Sequence, residues 1–262
     1  MDFDAAAHDR AVDMIRARLA EIPTRVTAVR AAASAAANQP LVPGPIATAM
    51  LDVAAQIGTV ATEIVDKIVE LLEGVAAPVM LFGYAGAWTD IIGRASDVQG
   101  RLKVDQLPVR AHWKGLACDR YVAAVASQSG AAGRVAGMAG AVPLALGACA
   151  AAGLAFYVVV GVILVKVIEG LVVSVAAFAS EAFSWAGVLL GLGAVEIGAS
   201  LLIAAVTTLV ALLGAQAVQL NNMRAGLLDH SQFPGGHWPR SVVDTYTDAT
   251  VTDGDAKWSV TT

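Results

Sequence analysis

The chain has 262 residues, of which 57% are hydrophobic, 15% charged and 6% aromatic, with a net charge of −5 and a mean hydropathy of +0.66. A soluble domain usually holds about 45–50% apolar and about 25% charged residues, so the balance is shifted toward helix seams and lipid-facing surfaces. A mildly acidic chain has no general attraction for nucleic acid, and two cysteines, Cys118 and Cys149, are too few for a disulfide framework.

The apolar surplus is Ala, Val, Leu and Ile, which fill helix–helix seams and lipid-facing surfaces, and their spacing along the chain reads as all-α. Residues 4–38 read as a first helix, with Val12, Ile15, Leu19, Ile22 and Val26 spaced by three and four and Pro23 as a point of expected kinking. Pro40, Pro43 and Pro45 break the chain. A second helix is predicted over 46–73, striped by Met50, Val53, Ile57, Val60, Ile64, Ile68 and Leu71, with Asp66, Lys67, Glu70 and Glu73 on a solvated face. These two helices are expected to form an antiparallel hairpin, residues 1–78, jointed at Gly74 and Pro78.

A third helix is predicted over 79–104, its apolar face carried by Met80, Tyr84, Trp88, Ile91, Ile92, Val98 and Leu102. Residues 105–112 read as a loop, and a long fourth helix opens near Gly115. The block 141–223 dominates the sequence: no charge occurs from Val135 to Val165 or from Ile197 to Met223. Within these runs, 141–165 and 197–219 each meet the roughly 20 apolar residues that a bilayer span needs. Residues 224–262 turn polar and Thr/Asp-rich and are expected to be a tail, disordered or forming a short β-hairpin at Asp253–Gly254.

Few residues offer chemistry. His8, His112, His230 and His237 lie far apart and form no metal-binding pair. Gly191, Gly193 and Gly198 lack the preceding strand that a dinucleotide loop requires. With no nucleophile, base and orienting group converging, a non-enzymatic protein without cofactor, metal or small-molecule substrate is expected. Gly130, Gly133, Gly137 and Gly140 line one helix face. Glycine inside a helix costs about 1 kcal/mol relative to alanine, so such a face implies close helix packing, either within the chain or in an oligomer. Four ionisable residues interrupt the apolar block: Lys166, Glu169, Glu181 and Glu196. Lys166 and Glu169 are spaced to pair on one face. These four are read either as helix ends and a solvated face, or as a polar lining or a switch between soluble and inserted states.

The run His112-Trp113-Lys114-Gly115-Leu116-Ala117, followed by Tyr121, resembles the WXG-type substrates of the actinobacterial type VII (ESX) secretion system. The resemblance covers about 79–140 and implies a helical hairpin in which Trp113 staples two helices at their turn and Gly115 permits the bend. It also implies a long-form secreted factor, with an apolar helical region after the hairpin, that assembles or acts on membranes. Substrates of this kind carry Tyr-x-x-x-Asp/Glu after the hairpin. Here Tyr84, Tyr121, Tyr157 and Tyr246 are followed four residues later by Trp88, Val125, Gly161 and Thr250, so a helical partner is expected to supply the export signal. The opening MDFDAAAHDR has no basic segment leading into an apolar one. A signal-peptide-independent route to the envelope or the outside is therefore expected. Two other readings remain open. One is an integral membrane protein with a cytoplasmic helical domain, consistent with 13 of the 17 Lys and Arg residues lying at or before Arg134. The other is a soluble oligomeric or filamentous scaffold.

Overall fold

The computed structural model describes residues 3–180, 185–240 and 258–260. The described chain is almost wholly helical, as expected from its composition. Seven α-helices occur in order: α1 (Ala5–Ala37), α2 (Gly44–Leu72), α3 (Ala77–Arg101), the single turn α4 (Val109–His112), α5 (Leu116–Ala139), α6 (Ala141–Ala179) and α7 (Trp185–Leu227). Two three-residue strands, β1 (Trp113–Gly115) and β2 (Trp258–Val260), complete the fold, with short 3-10 turns at Val104–Gln106 and Pro234–Gly236.

By contact the chain divides into two compact units. One is Met1–Phe82 with Gly147–Ala215; the other is Gly83–Leu146 with Gln216–Thr262. This division follows packing, whereas the four successive segments 1–78, 79–140, 141–223 and 224–262 follow composition along the chain.

In the first unit, α1 starts because Asp4 accepts hydrogen bonds from the N–H groups of Ala6 (2.9 Å) and Ala7 (3.2 Å), filling two otherwise orphaned donors. It runs through Pro23 without ending. Pro45 sits in the first turn of α2, where its missing N–H costs nothing. The two helices form the expected hairpin: Val26 and Arg30 of α1 lie against Gly58 of α2. Their stripes interlock in one core, with Ile15, Ile22, Val26 and Val29 facing Met50, Ile57, Ile64 and Ile68. The same core takes Tyr157, Val160, Leu164, Val167 and Leu171 from α6 and Val188, Leu192, Val195 and Leu202 from α7. Tyr157 ties α6 to the end of α2, its hydroxyl donating to the Leu71 carbonyl at 3.0 Å.

In the second unit, α5 buries Cys118, Val122, Val125, Ala131, Ala132 and Ala139. Ser129 Oγ donates to the Gln99 carbonyl of α3 at 3.1 Å, and Gln128 Nε2 donates to the Pro239 carbonyl at 3.0 Å. Most of the side chains expected on the apolar face of α3 are not buried by the chain: Met80, Tyr84, Ile91 and Val98 are all exposed.

Candidate functional site: an uncovered apolar face with a polar end

The apolar block folds as two long helices, and their burial is uneven. One side of α6 sits in the core formed with α1 and α2. Its other side leaves Val158, Val159, Val162, Val172 and Val173 exposed. On α7, Leu189, Leu190, Ile197, Leu201, Ile203, Val210, Leu212, Leu213 and Val218 are exposed, with Leu190 and Ile203 at 70% and 69%. From Leu201 to Gln219 the stretch holds no charge and 14 of its 19 positions are exposed, while Leu202 is buried and Ala205, Val206 and Leu209 pack against the core. Three helical stretches among the described residues are long and apolar enough to cross a membrane: Gly44–Arg101, Leu116–Ala179 and Trp185–Gly226. At 1.5 Å per residue, the charge-free run 197–223 spans roughly 40 Å, more than the roughly 30 Å hydrocarbon core.

The helices cross where neither has a side chain. A Cβ on Gly191 of α7 would land on Ser174 Oγ of α6 and lie 2.9 Å from the Gly170 carbonyl oxygen. A Cβ on Gly170 would lie 3.0 Å from the Gly191 carbonyl and 2.8 Å from the Ala194 methyl group. Gly198 meets Val167 in the same way. Small residues at such a contact let two backbones approach closely, a device common in membrane bundles. Gly191, Gly193 and Gly198 thus lie inside a helix.

The glycine face of α5 is divided. Gly130 is covered by Gln232 and Gly133 by Gln99, whereas Gly137 has nothing within 4 Å and Gly140 meets only carbonyls of its own helix. The described charged residues that interrupt the block, Lys166, Glu169 and Glu196, lie on the outside. Lys166 Nζ donates to Glu169 Oε2 at 3.1 Å with both side chains more than half exposed, so this pair adds only about 0.2–0.5 kcal/mol. Glu196 accepts from Gln56 Nε2 at 3.1 Å on the surface. Glu181 lies outside the described residues, as do Asp253 and Gly254.

Trp113, Lys114 and Gly115 form strand β1, where a tight turn between two helices was expected. Fourteen residues, including Pro108, separate the end of α3 from Leu116, and Trp113 is extended at φ −139°, ψ 130°. β1 pairs antiparallel with β2, matching Trp113 with Val260, Lys114 with Ser259 and Gly115 with Trp258. Gly115 does supply the bend into α5, at φ 103°, a conformation that side chains disfavour. Trp113 packs against Tyr121, ring centroids 5.9 Å apart. The C-terminal stretch therefore contributes a strand that pairs with β1.

Two polar features carry no motif. His8 is 2% exposed, and neither ring nitrogen has a hydrogen-bond partner. It stands edge-on to Tyr157, centroids 5.5 Å apart, with Asp9 Oδ1 3.6 Å from Nδ1. Its position four residues before Val12, on the Val12–Ile15–Ile22 stripe, was the available signal. In the second unit Arg134 Nη2 donates to the Gly226 carbonyl (3.1 Å) and to Asp229 Oδ2 (3.0 Å). The Asp229 carboxyl is held below its ordinary pKa, chiefly by the Ser231 N–H donating to it at 3.0 Å, then by the Ser231 hydroxyl and the Arg134 charge.

No protein-family model matches the chain, and no curated protein or solved structure shows significant similarity to it. The functional reading therefore rests on the residues themselves. No group of three or more His, Cys, Asp or Glu positioned to hold a metal occurs among the described residues.

Proposed function

We propose that this chain is a non-enzymatic helical protein that engages membranes through the outer face of α6 and α7 and assembles with copies of itself or a helical partner. The single observation that carries this reading is the uncharged, outward-facing length of α7 from Leu201 to Gln219. Exposed apolar patches beyond a few hundred Å² mark interaction surfaces, and each Å² withdrawn from water contributes about 25 cal/mol. A helix also satisfies its own backbone, which lipid requires.

The engagement is one-sided. The outer faces of α1 and α2 carry exposed pairs such as Arg16–Asp13 and Lys67–Glu70, which suit water and not hydrocarbon. The α1–α2 hairpin thus remains the wet side while α7 meets lipid or another copy. Association with type VII secretion is part of the same proposal. Its support is the Trp113–Gly115 resemblance, and it implies signal-peptide-independent delivery to the envelope or the outside with a partner.

Flotation of the purified full chain with phosphatidylcholine vesicles tests the membrane reading. The chain is expected to float, and Ile203→Asp with Val210→Asp is expected to abolish flotation without unfolding α1–α2. A chain that stays monomeric in detergent-free buffer and never floats would sink it. For the secretion part, unchanged cytosolic retention with and without the type VII apparatus would refute the association.

A further inference from the structure

The uncovered helices have a polar end, and it is built around an arginine. Arg134 is the last charge before the uncharged run 135–165, and Arg224 is the first after the run 197–223. Between α5, the start of α6 and the end of α7 lies a cavity of about 390 Å³ lined by Arg134, Gly137, Met138, Gln219, Asn222 and Met223, among others. Ligand sites usually begin near 300 Å³. Gly137 leaves one wall without a side chain, and the two methionines give a pliable apolar rim.

The donors exceed the acceptors. Arg134 spends Nη2 on the Gly226 carbonyl and on Asp229, while its Nε, enclosed by protein, meets no acceptor. A buried N–H of a cation left without an acceptor is costly. Gln219 and Asn222 add amide donors. Asp229, held ionised, neutralises the Nη2 side of the guanidinium, and Nη1, which takes no acceptor among the described residues, is left for another anion. The anion best matched to a guanidinium and amides is a phosphate oxygen. In the sequence Arg134 and Arg224 border the uncharged runs 135–165 and 197–223, and basic pockets between helices that border a span take phospholipid headgroups.

We propose that this cavity binds the phosphate of an anionic lipid headgroup, with Arg134 as the charged contact and Gln219 and Asn222 as polar ones. This rests on the membrane reading given above, and the test separates the two. Flotation is measured with vesicles of phosphatidylcholine alone and with 30% phosphatidylglycerol, for the full chain and for Arg134→Gln, Asn222→Leu and Asp229→Asn. The wild-type chain is expected to prefer the anionic vesicles. Arg134→Gln should lower that preference about five-fold, the size of one basic residue at an anionic surface, while flotation on neutral vesicles is kept. Asn222→Leu should lower it less, and Asp229→Asn should keep or raise it. Circular dichroism of each variant checks that the helices remain.

An equal preference in wild type and Arg134→Gln would overturn the site while leaving the membrane reading intact. If Asp229→Asn reproduced the loss, Arg134 would act only as a structural tie to Asp229, and the proposal would fall. Inorganic phosphate, titrated to 10 mM at constant ionic strength, should not displace the vesicles; displacement would assign the cavity to a free phosphate. Failure to float on either vesicle would instead sink the membrane reading and the headgroup site with it.

Discussion

Replacing Gly191 and Gly193 separately by alanine should change stability in opposite directions, although the substitution and the helix are the same. Alanine in a helix interior is better than glycine by about 1 kcal/mol. At Gly193 nothing lies within 4 Å of the new methyl group, so the full gain is expected, about 2–4 °C in Tm for a unit of this size. At Gly191 the methyl group would land on Ser174 Oγ and 2.9 Å from the Gly170 carbonyl oxygen. Ser174 is itself fully buried and donates to that carbonyl at 2.9 Å, so the side chain and the backbone must both shift. Overpacking of this kind costs about 1–3 kcal/mol. Set against the propensity gain, Gly191→Ala should be neutral to about 2 kcal/mol less stable than wild type. The difference between the two variants is then the strain alone, about 1–3 kcal/mol, or roughly 2–12 °C. Thermal unfolding followed by circular dichroism at 222 nm, in one detergent and at one protein concentration, reads it. Equal rises in both variants would refute the close α6–α7 crossing.

Three further outcomes follow from the same contacts. His8→Leu should raise the unfolding free energy by about 1–2 kcal/mol, because two buried nitrogens without partners are exchanged for carbon; a lower midpoint in chemical denaturation would show that the imidazole is satisfied. Ile57→Ala, at a site with no exposure, should cost about 2–5 kcal/mol, and chemical denaturation with no shift would contradict the α1–α2 core. For Asp229 the folded pKa is depressed, so its contribution is present above the ordinary value of about 3.9 and is lost as pH falls through the lower folded value. Asp229→Asn should therefore flatten the acid limb of stability against pH, and an unchanged limb would remove Asp229 from the account.

The legible part of this fold is the part with period and punctuation. The α1–α2 hairpin follows from apolar residues spaced by three and four on both sides of Pro40, Pro43 and Pro45. The helical state of α6 and α7 was equally readable, but not their faces. Helices apolar all round give no stripe, so the sequence does not say that Val160 is buried and Val162 exposed. The α6–α7 crossing escaped for a related reason. Gly170 and Gly191 are single glycines on different helices, and no within-helix spacing links them. The more conspicuous row Gly130–Gly140 is covered by neighbouring side chains at only two of its four positions. Trp113–Gly115 stands out as a local motif, but its partner strand lies more than 140 residues away, and such pairing leaves no local trace. In the polar end, Arg134 was visible as the last charge before the apolar run; its tie to Gly226 and Asp229 needed the fold.

The outer face of α7 is expected to meet lipid while the α1–α2 hairpin stays in water. In a chain with Cys118 and Cys149 replaced by serine, a single cysteine placed at Ile203 or at Asp66 and carrying an environment-sensitive fluorophore tests it directly. With phosphatidylcholine vesicles, the probe at Ile203 should shift to the blue and be quenched by lipids bearing spin labels on their acyl chains, and the probe at Asp66 should do neither. A probe at Ile203 that stays water-like in the presence of vesicles would contradict the account.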